Sequence, residues 1–248
     1  MTKYAQEAGR NTFTLPRLGF AIAASLALAL GLSACQTVAG FTSTSLIRVI
    51  DASYIAPAVN VYVENTLIAG NIGEGYISNY GTVAPSTSAK IAITQANNGT
   101  ALVTAYATLT ASGQRSVFLT DNGATPTEYL LTVLEDQQTA AAAGHSAFRF
   151  LNQAPRTGAL DVYMVPTGST LANTLPLCSD LPVGQTCGYV SFASQAVTMV
   201  ITPTGETTPK YTSTALGLVG GEVRTVVIVD SQLTSNPPVS VVIADDVD

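Results

Sequence analysis

Tryptophan is absent from this chain, and histidine occurs once, as His145. Charged residues make up only 10% of the 248 residues, whereas 47% are hydrophobic. Most catalytic arrangements built on a histidine base are therefore excluded, because His145 would have to serve alone. The low charge and high apolar content exclude an intrinsically disordered chain and predict a packed core.

Basic residues are also few, with 10 Lys and Arg against 16 Asp and Glu. An N-terminal segment of 34 residues contains Lys3, Arg10, Arg17 and Glu7, and its removal leaves 7 basic and 15 acidic residues. The resulting net charge of about −8 argues against nucleic acid or an anionic membrane surface as a partner, because both require clustered Lys and Arg.

The chain has one long apolar run, Leu18–Leu32, which follows three positive charges. A basic start, an apolar stretch of about 15 residues and a small-residue end are typical of a secretory signal peptide. The run is shorter than the roughly 20 residues needed to cross a bilayer, which disfavours a retained signal anchor. We therefore predict a signal peptide over residues 1–34.

The signal ends in Leu32-Ser33-Ala34-Cys35, which resembles the lipobox of bacterial lipoproteins. This resemblance implies that Cys35 is acylated and becomes the first mature residue. It also implies that Gln36 favours sorting to the outer membrane. Because several acyl chains on one cysteine anchor a protein stably, residues 35–45 are predicted to form a lipidated tether. The protein would then lie on the periplasmic face or at the cell surface.

The rest of the chain contains the same block of sequence twice. Three positions recur 101 residues further along the chain, and in each copy a proline-containing break separates the Arg from the Asn or Asp. They are Arg48, Asn60 and Tyr62 in the first copy and Arg149, Asp161 and Tyr163 in the second. Arg115–Asp121 similarly matches Arg224–Asp230 at an offset of 109. A repeat of about a hundred residues indicates one module used twice.

These repeated positions are interpreted as structural. We expect each Arg to lie beside the Asn or Asp of the next strand and to form an ionic or hydrogen-bonded pair at the margin of a sheet.

Each copy is predicted to be a β-sandwich. Short β-rich runs recur about every 8–12 residues, and turn formers such as Asn97-Asn98-Gly99 separate them. About seven strands in roughly ninety residues favour an immunoglobulin-like sandwich. The predicted fold class is therefore all-β, with two tandem immunoglobulin-like sandwiches behind the signal peptide.

The predicted boundaries follow from the repeat. Residues 46–136 form the first sandwich, residues 137–146 a linker and residues 147–248 the second sandwich. The offset grows from 101 to 109 because the second copy carries a predicted insertion, Ser169–Gly188.

Cys178 and Cys187 lie within this insertion, nine positions apart. Oxidation is the default in exported proteins, so we expect the two cysteines to form a disulfide. The closed loop is short, and its contribution to stability is expected to be local.

The paired blocks resemble the tandem repeat called domain of unknown function 4397, found in secreted and envelope proteins. The motif runs Arg, two apolar residues, His or Asn, then Ser-Pro-x-Ala-Pro, then apolar-Asp-apolar-Tyr. The matching residues are Arg48, Ser53, Ala56, Pro57, Asn60 and Tyr62 in the first copy and Arg149, Asn152, Pro155, Asp161 and Tyr163 in the second. Asp51 stands where His or Asn is usual, and the second copy has a truncated break. The resemblance implies a sandwich fold and an envelope setting, without an established activity.

Few groups are available for catalysis or for binding a metal or cofactor, and none of these sites is expected. His145 falls in the predicted linker and is expected to be exposed. The acids Glu135-Asp136 and Asp245-Asp246 are candidates for a glycosidase acid and base or for weak Ca²⁺ binding. Because no ligand spacing supports either use, we expect solvated acids that close edge strands.

These observations predict a non-enzymatic outer-membrane lipoprotein that acts as a binding or structural module of the cell envelope. Its expected partners are the membrane, through the lipid, and an envelope protein or polysaccharide. Two alternatives remain open: an extracellular assembly or adhesion protein that pairs through edge strands, and a hydrolase of envelope glycan. A binder should show an exposed aromatic patch, an assembly protein an unprotected edge, and an enzyme a pocket with buried acids.

Overall fold

The computed structural model describes residues 43–122, 128–231 and 238–247. Residues 1–42 lie outside the described residues, and they include the predicted signal peptide, Cys35 and most of the tether. Residues 43–248 form one compact unit. The helical structure in the described ranges is a three-residue 3-10 helix, Leu171–Asn173, so no helix there is long and apolar enough to cross a membrane.

The first copy is a sandwich of two four-stranded sheets. Its inner sheet, which faces the second copy, has the order β4-β1-β7-β8, and its outer sheet has the order β3-β2-β5-β6. The strands are β1 Ser45–Asp51, β2 Val59–Val63, β3 Thr66–Ile72, β4 Gly81–Val83, β5 Ser86–Gln95, β6 Ala101–Leu109, β7 Gln114–Asp121 and β8 Tyr129–Glu135.

The second copy has the same topology. Its inner sheet has the order β12-β9-β15-β16 and its outer sheet β11-β10-β13-β14, so each strand corresponds to the one eight places earlier. The strands are β9 His145–Gln153, β10 Leu160–Pro166, β11 Cys178–Leu181, β12 Thr186–Ala193, β13 Ala196–Pro203, β14 Tyr211–Gly217, β15 Val223–Asp230 and β16 Val239–Asp245. The prediction of an all-β fold with two sandwiches is confirmed.

The structure adds two features to that prediction. Each copy has eight strands rather than the predicted seven or so. The strands that the sequence did not predict are β3 and its counterpart β11. The first strand of each copy is internal in its sheet and pairs in parallel with the seventh, β1 with β7 and β9 with β15.

The outer and inner strands differ in burial pattern because they have different neighbours. In β2, Val59, Val61 and Val63 are buried and alternate with half-buried residues, as expected for a sheet with one face in a core. In β9, by contrast, every residue from Ser146 to Gln153 is buried. A strand that is buried on both faces needs a second packing partner.

That partner is the inner sheet of the other copy. A hydrophobic cluster joins the two inner sheets, and each fully buried Val, Leu, Ile or Phe side chain contributes about 1.5–3 kcal/mol. Its buried members are Ile50, Ala52 and Phe118 from the first copy and Leu151, Val227, Val229 and Ala244 from the second. The four sheets therefore stack as layers, with the two inner sheets in the middle.

The predicted insertion is shorter and lies earlier than expected. Residues 182–188 and the strand β11 correspond to the end of β3 and the turn after it, so they are not extra. The additional residues lie in the loop 167–177 between β10 and β11, whereas the turn Glu64-Asn65 joins β2 to β3. The predicted linker also ends two residues too late, because His145 and Ser146 already belong to β9.

Candidate functional site

The predicted disulfide is confirmed. Cys178 and Cys187 are bonded, with their Cα atoms 6.1 Å apart. Cys178 begins β11 of the outer sheet and Cys187 lies in β12 of the inner sheet. The bond therefore ties together the two sheets of the second sandwich at the end of the loop 167–177.

The repeated arginine of the first copy points toward the second copy. Arg48 is buried, and its guanidinium pairs with the carboxylate of Asp246 and donates to the carbonyl oxygen of Asp245. Its Nε also donates to Oγ of Ser116 over 2.7 Å.

Arg149 makes the reciprocal set of contacts. Its Nη2 lies 2.6 Å from Oδ1 of Asp136, and its Nη1 donates to the carbonyl oxygen of Glu135 over 2.6 Å. Its Nε donates to Oγ1 of Thr225 over 3.1 Å. Each arginine thus binds the acid that closes the other copy, so the two sandwiches are joined by a pair of equivalent buried ion pairs.

A tyrosine completes each pair. The guanidinium of Arg48 lies 4.8 Å from the ring centre of Tyr80, and that of Arg149 lies 4.7 Å from the ring centre of Tyr189. Tyr80 donates to Asp136 over 2.9 Å, and Tyr189 donates to Asp246 over 2.7 Å. Burial raises the pKa of both tyrosines and of Asp246. All of these groups act in holding the copies together.

The structure contradicts two expectations about these residues. The expected pairings of Arg48 with Asn60 and of Arg149 with Asp161 are wrong, because the first two strands of each copy lie in different sheets and each arginine faces the other copy. The expectation of solvated terminal acids is wrong for Asp136 and Asp246, which are only 4% and 1% exposed. It holds for Glu135 and Asp245, which remain exposed.

The repeated Asn60 and Asp161 instead support a β-bulge. Oδ1 of Asn60 accepts the N–H of Asn71 over 2.9 Å, and Oδ1 of Asp161 accepts the N–H of Asp180 over 2.7 Å. Asn71 and Asp180 both have positive φ, 53° and 48°, which few residues other than glycine adopt readily. The side-chain acceptor stabilises this backbone where β3 and β11 shift register.

The repeated tyrosines Tyr62 and Tyr163 are half-buried residues of β2 and β10, in the outer sheets. Tyr163 borders a cleft of about 460 Å³ between the loop 167–177 and the turn after β13. The cleft is lined by Tyr163, Thr170, Leu171, Ala172, Thr174, Pro176, Glu206 and Thr207. The first copy has the turn Glu64-Asn65 in place of the loop, so it lacks this wall.

The loop that forms the wall is fixed by its own hydrogen bonds. Thr174 donates through Oγ1 to the carbonyl oxygen of Thr170 over 2.9 Å. The N–H of Leu177 donates to the carbonyl oxygen of Val162 over 2.7 Å. At the other end, Thr167 donates through its N–H to the carbonyl oxygen of Ala196 over 3.0 Å. The wall is therefore built into the resting protein.

Asp161 also positions the opposite wall. Its second oxygen, Oδ2, accepts the N–H of Gly205 over 2.9 Å, directly before the lining residues Glu206 and Thr207. The repeat identified Asp161 but could not identify Glu206, Thr207, Thr170 or Thr174. Thr170 and Thr174 lie in the additional loop, where the unequal length of the two copies was the available signal.

The remaining candidate from the sequence is His145, which is exposed at the start of β9. Its Nδ1 lies 3.3 Å from the carbonyl oxygen of Ala143. It does not line the cleft beside Tyr163.

The comparisons with known proteins support the family resemblance. The family model described as "Domain of unknown function (DUF4397)" matches residues 45–163, from the start of β1 to Tyr163 in β10. No curated protein matches the chain.

Among solved structures, the chain is similar to "Crystal structure of CBMbc (family CBM26) from Eubacterium rectale Amy13K in Complex with Maltoheptaose". The identity is 12%, and the match covers 79% of this chain and 95% of that chain with a TM-score of 0.24. At that TM-score the similarity carries no argument about function.

Proposed function

We propose that this protein is a non-enzymatic lipoprotein of the bacterial outer membrane that binds a neutral envelope polysaccharide in the cleft beside Tyr163. The observation that carries this proposal is the preformed cleft of about 460 Å³, whose volume is in the range of small-molecule sites. Its wall is the loop 167–177, an addition to a module that otherwise repeats the first copy.

The lining favours a sugar over other ligands. The half-buried ring of Tyr163 offers an apolar face, and the lining threonines offer hydroxyl groups that both donate and accept. Glu206 is exposed and adds a carboxylate acceptor for ligand hydroxyls. With an acid and no base among the lining residues of this cleft, an anionic glycan is disfavoured.

The use of the terminal acids supports a non-enzymatic role. Asp136 accepts hydrogen bonds from Arg149, Tyr80 and Ser116. Asp246 is bound in the same way by Arg48, Tyr189 and Thr225. A catalytic acid or base must reach a substrate proton, and these carboxylates are already committed to holding the two copies together.

The proposal is tested by screening residues 36–248 against immobilised envelope polysaccharides and a neutral oligosaccharide array. The wild-type protein should bind at least one neutral glycan, and Tyr163→Ala should weaken that binding about tenfold, because an aromatic contact contributes about 1 kcal/mol or somewhat more. Tyr62→Ala is the matched control and should bind like the wild type. Absence of glycan binding, or equal loss in both variants, would contradict the proposal.

Anchoring is tested separately. Cys35→Ala is expected to move the protein from the outer-membrane fraction to the soluble periplasmic fraction, because acyl chains would no longer be attached. A wild-type protein that is already soluble, or a variant that stays in the membrane, would contradict lipidation at Cys35.

Assembly through edge strands is a second candidate because of β6. This strand lies at the edge of its sheet and contains no charged residue over Ala101–Leu109, and Tyr106 is 66% exposed. Charged residues on edge strands usually prevent pairing with other chains. If β6 pairs, the wild type should associate with rising concentration in analytical ultracentrifugation and Thr104→Lys should not. A wild type that stays monomeric would exclude this candidate.

A further inference from the structure

Asp51, the last residue of β1, has a carboxylate oxygen without a partner. Its side chain is fully buried, at 0% exposure. Oδ1 accepts the N–H of Ser53 over 3.1 Å, but Oδ2 has no hydrogen-bond partner within the part of the chain that the structure describes. A buried polar atom of this kind is costly unless a ligand or a proton satisfies it.

In the second copy, a side-chain amide occupies the equivalent position. Asn152 corresponds to Asp51 at the offset of 101, and its Oδ1 accepts the N–H of Ala154 over 2.9 Å. Its Nδ2 donates to the carbonyl oxygens of Gly158 and Leu181, each over 2.9 Å. In the second copy, a donor nitrogen therefore lies between two main-chain oxygens.

The backbone around the two positions is the same. In each copy, the main-chain N–H of this residue donates to a carbonyl oxygen of the turn after the third strand, and its own carbonyl oxygen accepts the N–H of a glycine in that turn. The bonds are Asp51 to Tyr76 (2.9 Å) and Gly75 to Asp51 (2.8 Å) in the first copy, and Asn152 to Gln185 (3.1 Å) and Gly184 to Asn152 (2.7 Å) in the second.

The two carbonyl groups also have counterparts in the first copy. Leu160 pairs with Leu181 as Val59 pairs with Ile72, so the carbonyl of Ile72 corresponds to that of Leu181. Pro57 corresponds to Gly158 at the offset of 101. By this equivalence we expect the carbonyl oxygens of Pro57 and Ile72 to face Oδ2 of Asp51, at the place where the second copy has a donor nitrogen.

A second acid accompanies this change. Glu74 in the turn after β3 corresponds to Val183, because Gly75 and Gly184 make equivalent bonds. Burial is the largest cause that raises the pKa of Asp51 to about 6, and the charges of Asp121 and Glu74 contribute to the same shift, so additional negative charge lies close by. The oxygens of Asp121 are engaged by Ser53 and the N–H of Tyr54. Glu74 is exposed and is free to turn inward as a ligand.

We propose that the first sandwich binds a Ca²⁺ ion at Asp51, with Glu74 and the carbonyl oxygens of Pro57 and Ile72 as further ligands. An all-oxygen set with two carboxylates suits this ion. The described residues contain no group of three or more His, Cys, Asp or Glu side chains that could hold a metal, so the main-chain oxygens are essential to the site. Such a site is expected to have an affinity in the range of extracellular modules, about 10⁻⁴–10⁻³ M.

The test compares the full-length protein, purified in detergent, in 10 mM CaCl₂ and in EDTA. The Tm of the wild type is expected to be about 3–11 °C higher in CaCl₂, because binding at an affinity of about 10⁻⁴–10⁻³ M stabilises the folded state. Asp51→Asn should abolish this shift and should raise the Tm in EDTA, since an amide can make the bonds of Asn152. Glu74→Gln should reduce the shift, and the control Asp180→Asn, at an exposed position of the bulge in β11, should retain it.

Terbium provides a second readout that does not depend on stability. The chain has no tryptophan, so luminescence of bound Tb³⁺ would be sensitised by tyrosine. It should be displaced by Ca²⁺ and absent in Asp51→Asn. A wild-type Tm that is equal in CaCl₂ and EDTA would overturn the proposal, as would a full shift in Asp51→Asn. If lowering the pH stabilises the wild type while Ca²⁺ has no effect, a proton satisfies Asp51 and the metal site is refuted.

Discussion

Replacing Arg48 with Met would remove one of the two ion pairs that join the sandwiches. Asp246 would keep its hydrogen bonds from Tyr189 and Thr225 but would lose the guanidinium that balances its charge. Methionine is flexible and apolar and can fill much of the space occupied by the arginine stem. The substitution therefore mainly tests charge and hydrogen bonding in the buried cluster.

Removing one partner of a buried ion pair costs about 3–5 kcal/mol, because the other charge remains buried without compensation. We expect Arg48→Met to lower the free energy of unfolding by this amount at pH 7. Burial already raises the pKa of Asp246, and loss of Arg48 should raise it further. The cost should therefore shrink as the pH falls and Asp246 becomes protonated in the folded variant.

The measurement is urea-induced unfolding of residues 36–248 at pH 7 and pH 4.5. Arg224→Met is the matched control, because Arg224 pairs with Glu222 and Asp245 near the surface and its loss should cost less than about 1 kcal/mol. If Arg48→Met costs no more than the control, or if its cost does not depend on pH, the buried pair does not hold the copies together as described.

Three further predictions concern the other groups of the structure. In EDTA at pH 7, Asp51→Asn should raise the free energy of unfolding by about 3 kcal/mol, because the folded-state pKa is about 6 instead of 3.8. Wild-type stability should rise as the pH falls from about 6 toward 4, a rise that the variant should lack in urea titrations. Asp161→Ala should cost about 1–3 kcal/mol through loss of two acceptors, whereas Asp180→Asn should be nearly neutral by the same assay. Replacing both Cys178 and Cys187 with Ser should cost about 2–3 kcal/mol, and thermal unfolding that matches the wild type would show that the disulfide adds no stability.

The two sandwiches could be predicted from sequence because the information is local and repeated. Alternation in segments such as β2 indicates strands with one buried face, and the offset of 101 indicates that the same module occurs twice. The strands β3 and β11 were missed because their residues include Gly70, Asn71 and Asp180, which are typical of turns. The bulges supported by Asn60 and Asp161 make these residues compatible with a strand.

The packing between the copies could not be predicted in the same way. Periodicity assigns a residue to a face but does not identify the surface that covers that face. Arg48 and Asp246 are 198 positions apart, and their pairing depends on how the two inner sheets stack. The arginines were therefore assigned to partners within their own copies.

The cleft could not be predicted from the sequence repeat, for a different reason. The threonines of its wall lie in a loop that has no counterpart in the first copy, so comparison of the copies gives no information about them. Asp51 was visible as a departure from the motif. The group that fills the same position in the second copy, the side-chain amide of Asn152, is defined by contacts that a sequence does not contain.

Glycan binding beside Tyr163 is tested most directly by NMR titration of residues 36–248 with the neutral oligosaccharide selected on the array. Saturable changes in chemical shift are predicted at Tyr163, at residues 170–176 and at Glu206 and Thr207, while the signal of Tyr62 remains unchanged. Changes confined to the first copy or to the edge strand β6, or no saturable change, would contradict binding in this cleft.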